Sequence, residues 1–292
     1  MLLLTLIYAS IEESSLGVFG LMDQEQELRV CNLIEETVEK SVTQFFKGKE
    51  VKVTHVLDLI FPTERRIRSL IGGLETSFGT RVWEPLAKAF AKENGFLVNE
   101  EKEFNKSVPV IPDILRHLIS DFETKKKKDF KIKVGLFAEQ ARELIINHNL
   151  NSNIEMQPIP KGEGIDIWIS QDEVHYLIDI KTNQINAGGG PKFLTNQLNW
   201  ICYMLLKNVD AKVYPILAFP FNPHKSDFWD KERGKVSPLI PGEEARVGDE
   251  FWDFLLGRVE TTKIIFRAFD NLGKKDFGKR FSYIFEPPKS HP

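Results

Sequence analysis

The amino-acid sequence predicts an α/β fold, and three observations support this prediction. Apolar residues recur at helical spacings of three and four through much of the first half of the chain. A β-hairpin pattern follows near the centre, where apolar and polar residues alternate over 164–170 and again over 174–182. The sequence then predicts a helix and a further strand. Helices and strands mixed along one chain in this way are typical of the α/β class.

The composition is that of an ordinary globular protein. Of the 292 residues, 42% are hydrophobic and 28% are charged, and 39 Lys and Arg against 42 Asp and Glu leave a net charge of −3. These values exclude a histone-like polycation and an acidic disordered tail. They allow a nucleic-acid partner, because such binding depends on where the basic residues lie.

Cys31 and Cys202 are the two cysteines of the sequence. Two cysteines exclude a disulfide framework and a Cys-rich zinc module, and they favour a reducing cytoplasm. The apolar start, 1–10, has no Lys or Arg before its hydrophobic stretch and is too short to span a bilayer. We therefore expect a short strand there, with neither a signal peptide nor a membrane partner.

The elements follow from periodicity and from the residues that start and stop helices. Before the hairpin, helices are predicted at 25–46, 85–92 and 137–146, and a basic helical turn at 65–71. Gly72 and Gly73 are expected to break that turn, whereas Pro85 starts the next helix and Gly95 ends it. After the hairpin we expect a helix at 193–206, a strand at 213–219, a helix at 249–256 and a strand at 263–268.

The hairpin places acidic residues on one face. If Ile169 pairs with Val174, Asp166 faces Leu177, and Asp179 is the diagonal neighbour of Asp166 on the same face, together with Lys181. Such diagonal neighbours lie about 7–8 Å apart at the backbone, so both carboxylates could bind one cation. The opposite face is then a core face, formed by Ile165, Ile167, Ile169, Tyr176, Ile178 and Ile180.

Two carboxylates inside a half-buried sheet repel each other and require compensation. Mg²⁺ is the natural candidate, because it takes one or two protein carboxylates together with phosphate oxygens. Lys181 lies two residues after Asp179 and could hold a water beside a scissile phosphate. This arrangement predicts metal-assisted attack of water on a phosphodiester. The alternative is a solvated hairpin face with a surface salt bridge worth less than about 1 kcal/mol.

The residues around Asp166, together with Asp179-Ile-Lys181, resemble the PD-(D/E)xK nuclease signature, although Ile165 stands where that signature has Pro. From about residue 57 onward, most of the chain resembles type II restriction endonucleases of the TdeIII group. The stretches that carry this second resemblance are 62–77, 80–85, 160–162, 186–190, 218–223 and 249–255. The long Gly-Gly-Leu-Glu segment within 62–77 is much more specific than the acidic motif.

The resemblance implies a restriction-endonuclease-like core, that is, a mixed central sheet flanked by helices, with helical N-terminal additions. It divides the chain into an N-terminal helical segment, 1–56, and a nuclease domain, 57–292, with a charged helical insertion near 100–150.

The resemblance also implies roles for individual residues. Asp166 and Asp179 would be metal ligands, the carbonyl of Ile180 a further ligand, and Lys181 the catalytic lysine. In many of these nucleases a Glu from the helix before the sheet joins the site, so Glu75 and Glu84 are both candidates. Glu84 is favoured, because Trp83-Glu84-Pro85 starts a helix that could run beneath the hairpin. The alternative for Glu84 is an acidic residue that interacts only with the helix dipole.

Polar and basic residues after the hairpin are candidates for DNA contact. Glycines at 188–190 would let the backbone approach phosphates, and Asn or Gln can contact adenine edges. The alternative is a flexible turn. A lysine run, 125–128, could lie on phosphates or form a solvated face. The residues that we expect to contact DNA are Asn183, Gln184, Asn186, Lys192, Lys225 and Arg233.

The resulting expectation is a Mg²⁺-dependent, sequence-specific endonuclease for double-stranded DNA in the cytoplasm of a prokaryotic cell. One active site per chain and symmetric cleavage of two strands most simply need a twofold homodimer. The resemblance implies a cognate DNA methyltransferase that protects the host. Two alternatives remain: a structure-specific repair or recombination nuclease with the same core, and a DNA-binding module with a dead site.

Overall fold

A five-stranded mixed sheet forms the centre of the protein. The computed structural model describes residues 20–51, 55–182, 185–186 and 188–286. Its strands are β1 (Leu97–Asn99), β2 (Val108–Pro109), β3 (Met156–Gln157), β4 (Ile167–Gln171), β5 (Val174–Ile180), β6 (Lys212–Phe219) and β7 (Ala245–Val247). The central sheet has the order β1-β4-β5-β6-β7, and β2 and β3 form a separate pair. The β1–β4 and β4–β5 pairs are antiparallel, whereas β5–β6 and β6–β7 are parallel, so the predicted mixed sheet is confirmed.

Helices cover both faces of this sheet. They are α1 (Gln24–Phe46), α2 (Pro62–Phe78), α3 (Glu84–Glu93), α4 (Glu101–Lys106), α5 (Asp113–Lys128), α6 (Val134–Asn147), α7 (Gly190–Lys207), α8 (Phe228–Val236), α9 (Asp249–Leu256), α10 (Thr261–Lys274) and α11 (Ser282–Phe285). None of them, within the described part of the chain, is both long enough and apolar enough to cross a bilayer.

Two hydrophobic clusters fill the space between the sheet and the helices. Residues of α5, α6 and α7 pack with Leu177 and Leu217 on one side. Residues of α1, α3, α9 and α10 pack with Ile167, Ile178 and Ile216 on the other. Because side chains alternate along a strand, β5 and β6 contribute to both clusters. The predicted boundary at residue 56 stays a prediction, and α1 shares its cluster with β4 and β5.

The first described helix shows how sequence determines these elements. The Asp23 side chain accepts a hydrogen bond from the Gln26 N–H, and Gln26 reaches back to the Asp23 N–H, which forms a capping box. Val30, Ile34, Val38 and Val42 recur every four residues and are buried as one stripe.

Two predicted elements were wrong. The turn at 65–71 is not broken by its glycines, because α2 runs through Gly72 and Gly73 to Phe78. A Cβ on Gly73 would lie 3.3 Å from the Phe45 ring, so this glycine allows close packing of α2 on α1. The strand expected at 263–268 lies within α10, where Ile264, Ile265, Ala268 and Leu272 form a buried helical face. The strand predicted at 1–10 lies outside the described residues.

The hairpin register differs by two residues from the predicted one. Gln171 pairs with Val174 and Ile167 with Ile178, and a two-residue turn, Asp172 and Glu173, joins the strands. Asp172 adopts a positive φ of 52°, which a tight turn of this kind requires. Because the shift is an even number, each side chain keeps its face.

Continued by one pair, the observed register sets Asp166 directly opposite Asp179 and not diagonal to it. The predicted core face is otherwise observed. The exception is Ile165, which packs in the cluster on the other side of the sheet, just before β4 begins.

Candidate active site

The two predicted acidic residues meet where β4 begins and β5 ends. Asp179 is 5% exposed on β5, and Asp166 directly precedes β4. The Asp166 N–H donates to the Ile178 carbonyl at 2.9 Å, and its Oδ2 accepts the Ile180 N–H at 2.7 Å. The Asp166 side chain thus accepts a hydrogen bond from the backbone of β5, and this bond holds its carboxyl group beside Asp179.

The charge of Asp179 acts on the neighbouring carboxyl group of Asp166. Burial, and then the negative charge of Asp179, raise the pKa of Asp166 from 3.8 to about 7, while the Ile180 N–H and Lys181 oppose this rise. The site therefore holds more negative charge than its own lysine neutralises.

Lys181 lies on the same side of the sheet as the two acids. Its Nζ donates to Asp179 Oδ1, and the lysine side chain is partly exposed. Its backbone N–H donates to the Ala218 carbonyl at 2.9 Å, which continues the pairing of β5 with β6. Nζ lies 6.0 Å from the ring centroid of Phe193. The ammonium group thus contacts a carboxylate, an aromatic ring and solvent.

Glu84 lies near these residues, whereas Glu75 is exposed on α2. A π-helical turn, Gly79–Trp83, leads from α2 into α3, and Glu84 is the first residue of α3. Burial raises the pKa of Glu84, the charge of Lys88 lowers it, and the charges of Glu101 and Asp179 raise it further. Lys88 is itself tied to Glu101 by a 2.8 Å salt bridge. Glu84 thus interacts electrostatically with Asp179, and its role as a third acid stays a prediction.

The donor set of the site fits a hard divalent cation. Asp166 and Asp179 offer carboxylate oxygens, and the raised pKa of Asp166, caused by burial and by the charge of Asp179, indicates that the pair would be stabilised by positive charge. Two carboxylates with water and phosphate oxygens are a usual environment for Mg²⁺. Within the described residues no three or more His, Cys, Asp or Glu side chains are gathered as a metal-binding group, so Glu84 does not complete such a set here.

The chain matches the family model described as type II restriction endonuclease HinfI over residues 22–273. It belongs to the HinfI family of type II restriction endonucleases. A curated relative, the type II restriction enzyme MjaII of Methanocaldococcus jannaschii, is 24% identical over 198 residues, which are 58% of this chain and 53% of the relative. The chain thus spans about half the length of this relative, and no solved structure matches it.

Family membership confirms the predicted class of type II restriction endonucleases, and the fold agrees with the predicted core. The closer likeness to the TdeIII group and the PD-(D/E)xK assignment stay predictions.

In this HinfI-family chain, α7 holds the segment that leads into Asp166. Asn196 Nδ2 donates to the Gly162 carbonyl at 2.8 Å, and Trp200 Nε1 donates to the Glu163 carbonyl at 2.5 Å. The Tyr203 hydroxyl donates to Glu163 Oε2 at 2.7 Å. These contacts could not be predicted from the sequence, because helical spacing alone does not distinguish a contact to a distant loop from core packing.

The residues expected to contact DNA lie in two regions of the HinfI-family fold. Asn186 and Lys192 are exposed before and within the first turn of α7, and Lys192 Nζ would lie 3.2 Å from a Cβ on Gly162. Lys225, in the loop after β6, and Arg233, on α8, are exposed as well. Because β5 and β6 are parallel, that loop leaves the sheet at the edge that carries Asp179. Asn183 and Gln184 lie outside the described residues.

The lysine run is neither wholly solvated nor wholly available to phosphates. It forms the last turn of α5, and Lys126 is completely buried. Lys126 Nζ lies 2.8 Å from Glu244 Oε2, and Glu244 also accepts the backbone N–H groups of Val134 and Ile240. This one lysine therefore joins α5 to the start of α6 and to the loop before β7.

Proposed function

We propose that this member of the HinfI family is a Mg²⁺-dependent endonuclease that cuts both strands of DNA at a specific sequence. The observation that carries the proposal is the pair of opposed carboxyl groups, Asp166 and Asp179, with the Lys181 ammonium hydrogen-bonded to Asp179. This is the arrangement that the PD-(D/E)xK signature describes. Family membership and the name of the MjaII relative support the substrate class.

The proposed mechanism assigns a task to each side chain. Asp166 and Asp179, with the Ile180 carbonyl next to them, would hold Mg²⁺, which lowers the pKa of a bound water and offsets negative charge at the phosphate. Lys181 would hold the attacking water through Nζ beside Asp179, and its positive charge would favour loss of the water's proton to solvent. Glu84, the first residue of α3, would act as a third acid near Asp179.

Residues that follow β5 and β6 in the chain would bind the substrate. Lys192, Lys225 and Arg233 would contact phosphates, and Asn186, with Asn183 and Gln184, would lie near base edges. Symmetric cutting with one site per chain implies a homodimer. Protection of the host implies a cognate DNA methyltransferase, and both would act in the cytoplasm of a prokaryotic cell.

Plasmid digestion tests this proposal. Purified protein with Mg²⁺ is expected to give discrete, reproducible fragments, and EDTA or Asp179→Ala is expected to abolish them. Glu75→Gln is the matched control, since Glu75 is exposed on α2, and its digestion pattern should equal that of the wild type. Sequencing of the fragment ends then gives the recognition site.

Two other results would contradict the proposal. Smeared fragments, or cutting confined to branched junctions, would indicate a repair or recombination nuclease. DNA binding without any cutting, on several DNAs that lack methylation, would indicate a binding module without catalytic activity.

A further inference from the structure

The backbone that carries Asp166 has a strand partner on only one side. β1 pairs with β4 as far as Asn99 opposite Trp168, and the chain then turns into α4. The described β1–β4 ladder therefore ends before it reaches Ile165 and Asp166. On the other side, the Asp166 N–H donates a hydrogen bond to the Ile178 carbonyl of β5. Without a second partner, this end of β4 would be free to move away from β5.

One side chain of α4 takes the place of the missing strand. Asn105 Nδ2 donates to the Ile165 carbonyl at 2.8 Å, and the Ile165 N–H donates to Asn105 Oδ1 at 2.9 Å. An amide side chain that both donates to and accepts from one residue reproduces the bonding of a peptide in an adjacent strand. A flipped amide would lose both bonds, so the orientation of Asn105 is fixed by its partners.

The neighbouring residue leaves room for this contact. A Cβ on Gly164 would lie 3.2 Å from Asn105 Oδ1 and 3.5 Å from its Cγ, which is tighter than ordinary contact for the first atom. Glycine at this position therefore lets the amide reach the backbone. Ile165 itself is 2% exposed, so the two hydrogen bonds lie at the edge of the hydrophobic core.

We infer that Asn105 is a positioning residue for Asp166, and this inference rests on the proposed metal-dependent cleavage. Asp166 and Asp179 repel each other once both are ionised, which is the state that binds a cation. Asn105 restrains the backbone one residue before Asp166 and so keeps the two carboxylates converged. Both of its hydrogen bonds go to the backbone of Ile165 and not to a carboxylate oxygen. Its effect on the reaction is exerted through the position of Asp166.

Binding of Mn²⁺ to the full-length, metal-free protein tests the inference without any cleavage. Asn105→Ala is expected to raise the Kd for Mn²⁺ about tenfold, which is the usual effect of removing a residue that orients a metal ligand. The Mg²⁺ concentration that gives half-maximal cleavage should rise by a similar factor, with the KM for DNA unchanged. Asn105→Asp keeps the acceptor for the Ile165 N–H and provides a second variant if the alanine protein does not fold.

Asn99→Ala is the matched control, because Asn99 Nδ2 makes a 2.9 Å bond to Ser170 Oγ at the other end of the same strand. Its Mn²⁺ affinity should equal that of the wild type. If the Asn105 variants lower only the melting temperature and leave Mn²⁺ affinity and Mg²⁺ requirement unchanged, the inference is wrong. If the wild-type protein binds no Mn²⁺, or binds it as tightly as the Asp179→Ala variant does, the proposed function is wrong instead.

Discussion

At Asp166, burial and charge repulsion act on one carboxyl group, and both disfavour its ionised form. Its pKa in the folded protein is raised from 3.8 to about 7, so folding favours the protonated acid. The stabilisation is fully present below the ordinary pKa and is lost as the pH rises through about 7. The cation that we propose for this site would take the place of the proton between Asp166 and Asp179 and would restore the lost stability.

We therefore expect the metal-free protein to lose stability, relative to Asp166→Asn, as the pH rises from about 4 to about 7. Above that range the difference should become constant, and Mg²⁺ should selectively stabilise the wild type. Melting temperatures of both proteins from pH 4 to pH 8, with EDTA and with Mg²⁺, provide the measurement. Parallel curves for the two proteins in EDTA would contradict this account of Asp166.

The residues of the site differ in how far the sequence could predict them. Asp166, Asp179 and Lys181 were brought together correctly, because strand alternation keeps their faces even when the register is shifted by two. Asn105 was not predicted, because its partner lies 60 residues further along the chain and hydrogen bonds of this kind leave no periodic signal. The burial of Lys126 was not predicted for a similar reason, since its partner Glu244 is 118 residues away.

Among the elements, the predicted break at Gly72 and Gly73 was wrong because of packing. A glycine inside a helix weakens it by about 1 kcal/mol, but packing against a neighbouring element can outweigh this effect. Gly73 fits beneath Phe45, and α2 continues. Gly190, at the start of α7, allows an even closer approach of two backbone segments, because a Cβ there would lie 1.9 Å from the Ser237 carbonyl oxygen.

Gly190→Ala is therefore expected to displace the start of α7, destabilise the protein by about 1–3 kcal/mol and reduce cleavage. Cleavage should fall because α7 carries Phe193, which contacts Lys181, and Asn196, which holds the segment before Asp166. Urea unfolding and digestion assays measure the two effects. Gly72→Ala is the control, since nothing lies within 4 Å of its Cβ position, and it should stabilise the protein by up to about 1 kcal/mol. Equal behaviour of the two variants would refute the role given to Gly190.

For the whole molecule, the sequence predicted the α/β class and the restriction-endonuclease family correctly, because both depend on patterns spread over most of the chain. The pairing order of the sheet required tertiary information. β1, which pairs with β4, is a strand of only 3 residues, Leu97–Asn99, and so short a segment has no alternating pattern that would predict a strand. The resulting sheet places the loops after β5 and β6 at one edge, together with the opposed acids. The described part of one chain thus presents one proposed active site.

One proposed active site per chain makes the predicted dimer testable. In a twofold dimer, each site would cut one strand, so a dimer with one wild-type chain and one Asp179→Ala chain is expected to cut only one strand per binding event. Such mixed dimers can be isolated from cells that produce both chains with different affinity tags. On supercoiled plasmid with a single recognition site, nicked circles should accumulate, whereas wild-type dimers should give linear DNA. Linear DNA as the first product of the mixed dimers would show that one site cuts both strands. If active wild-type protein sediments as a monomer in the presence of DNA, the dimer is ruled out directly.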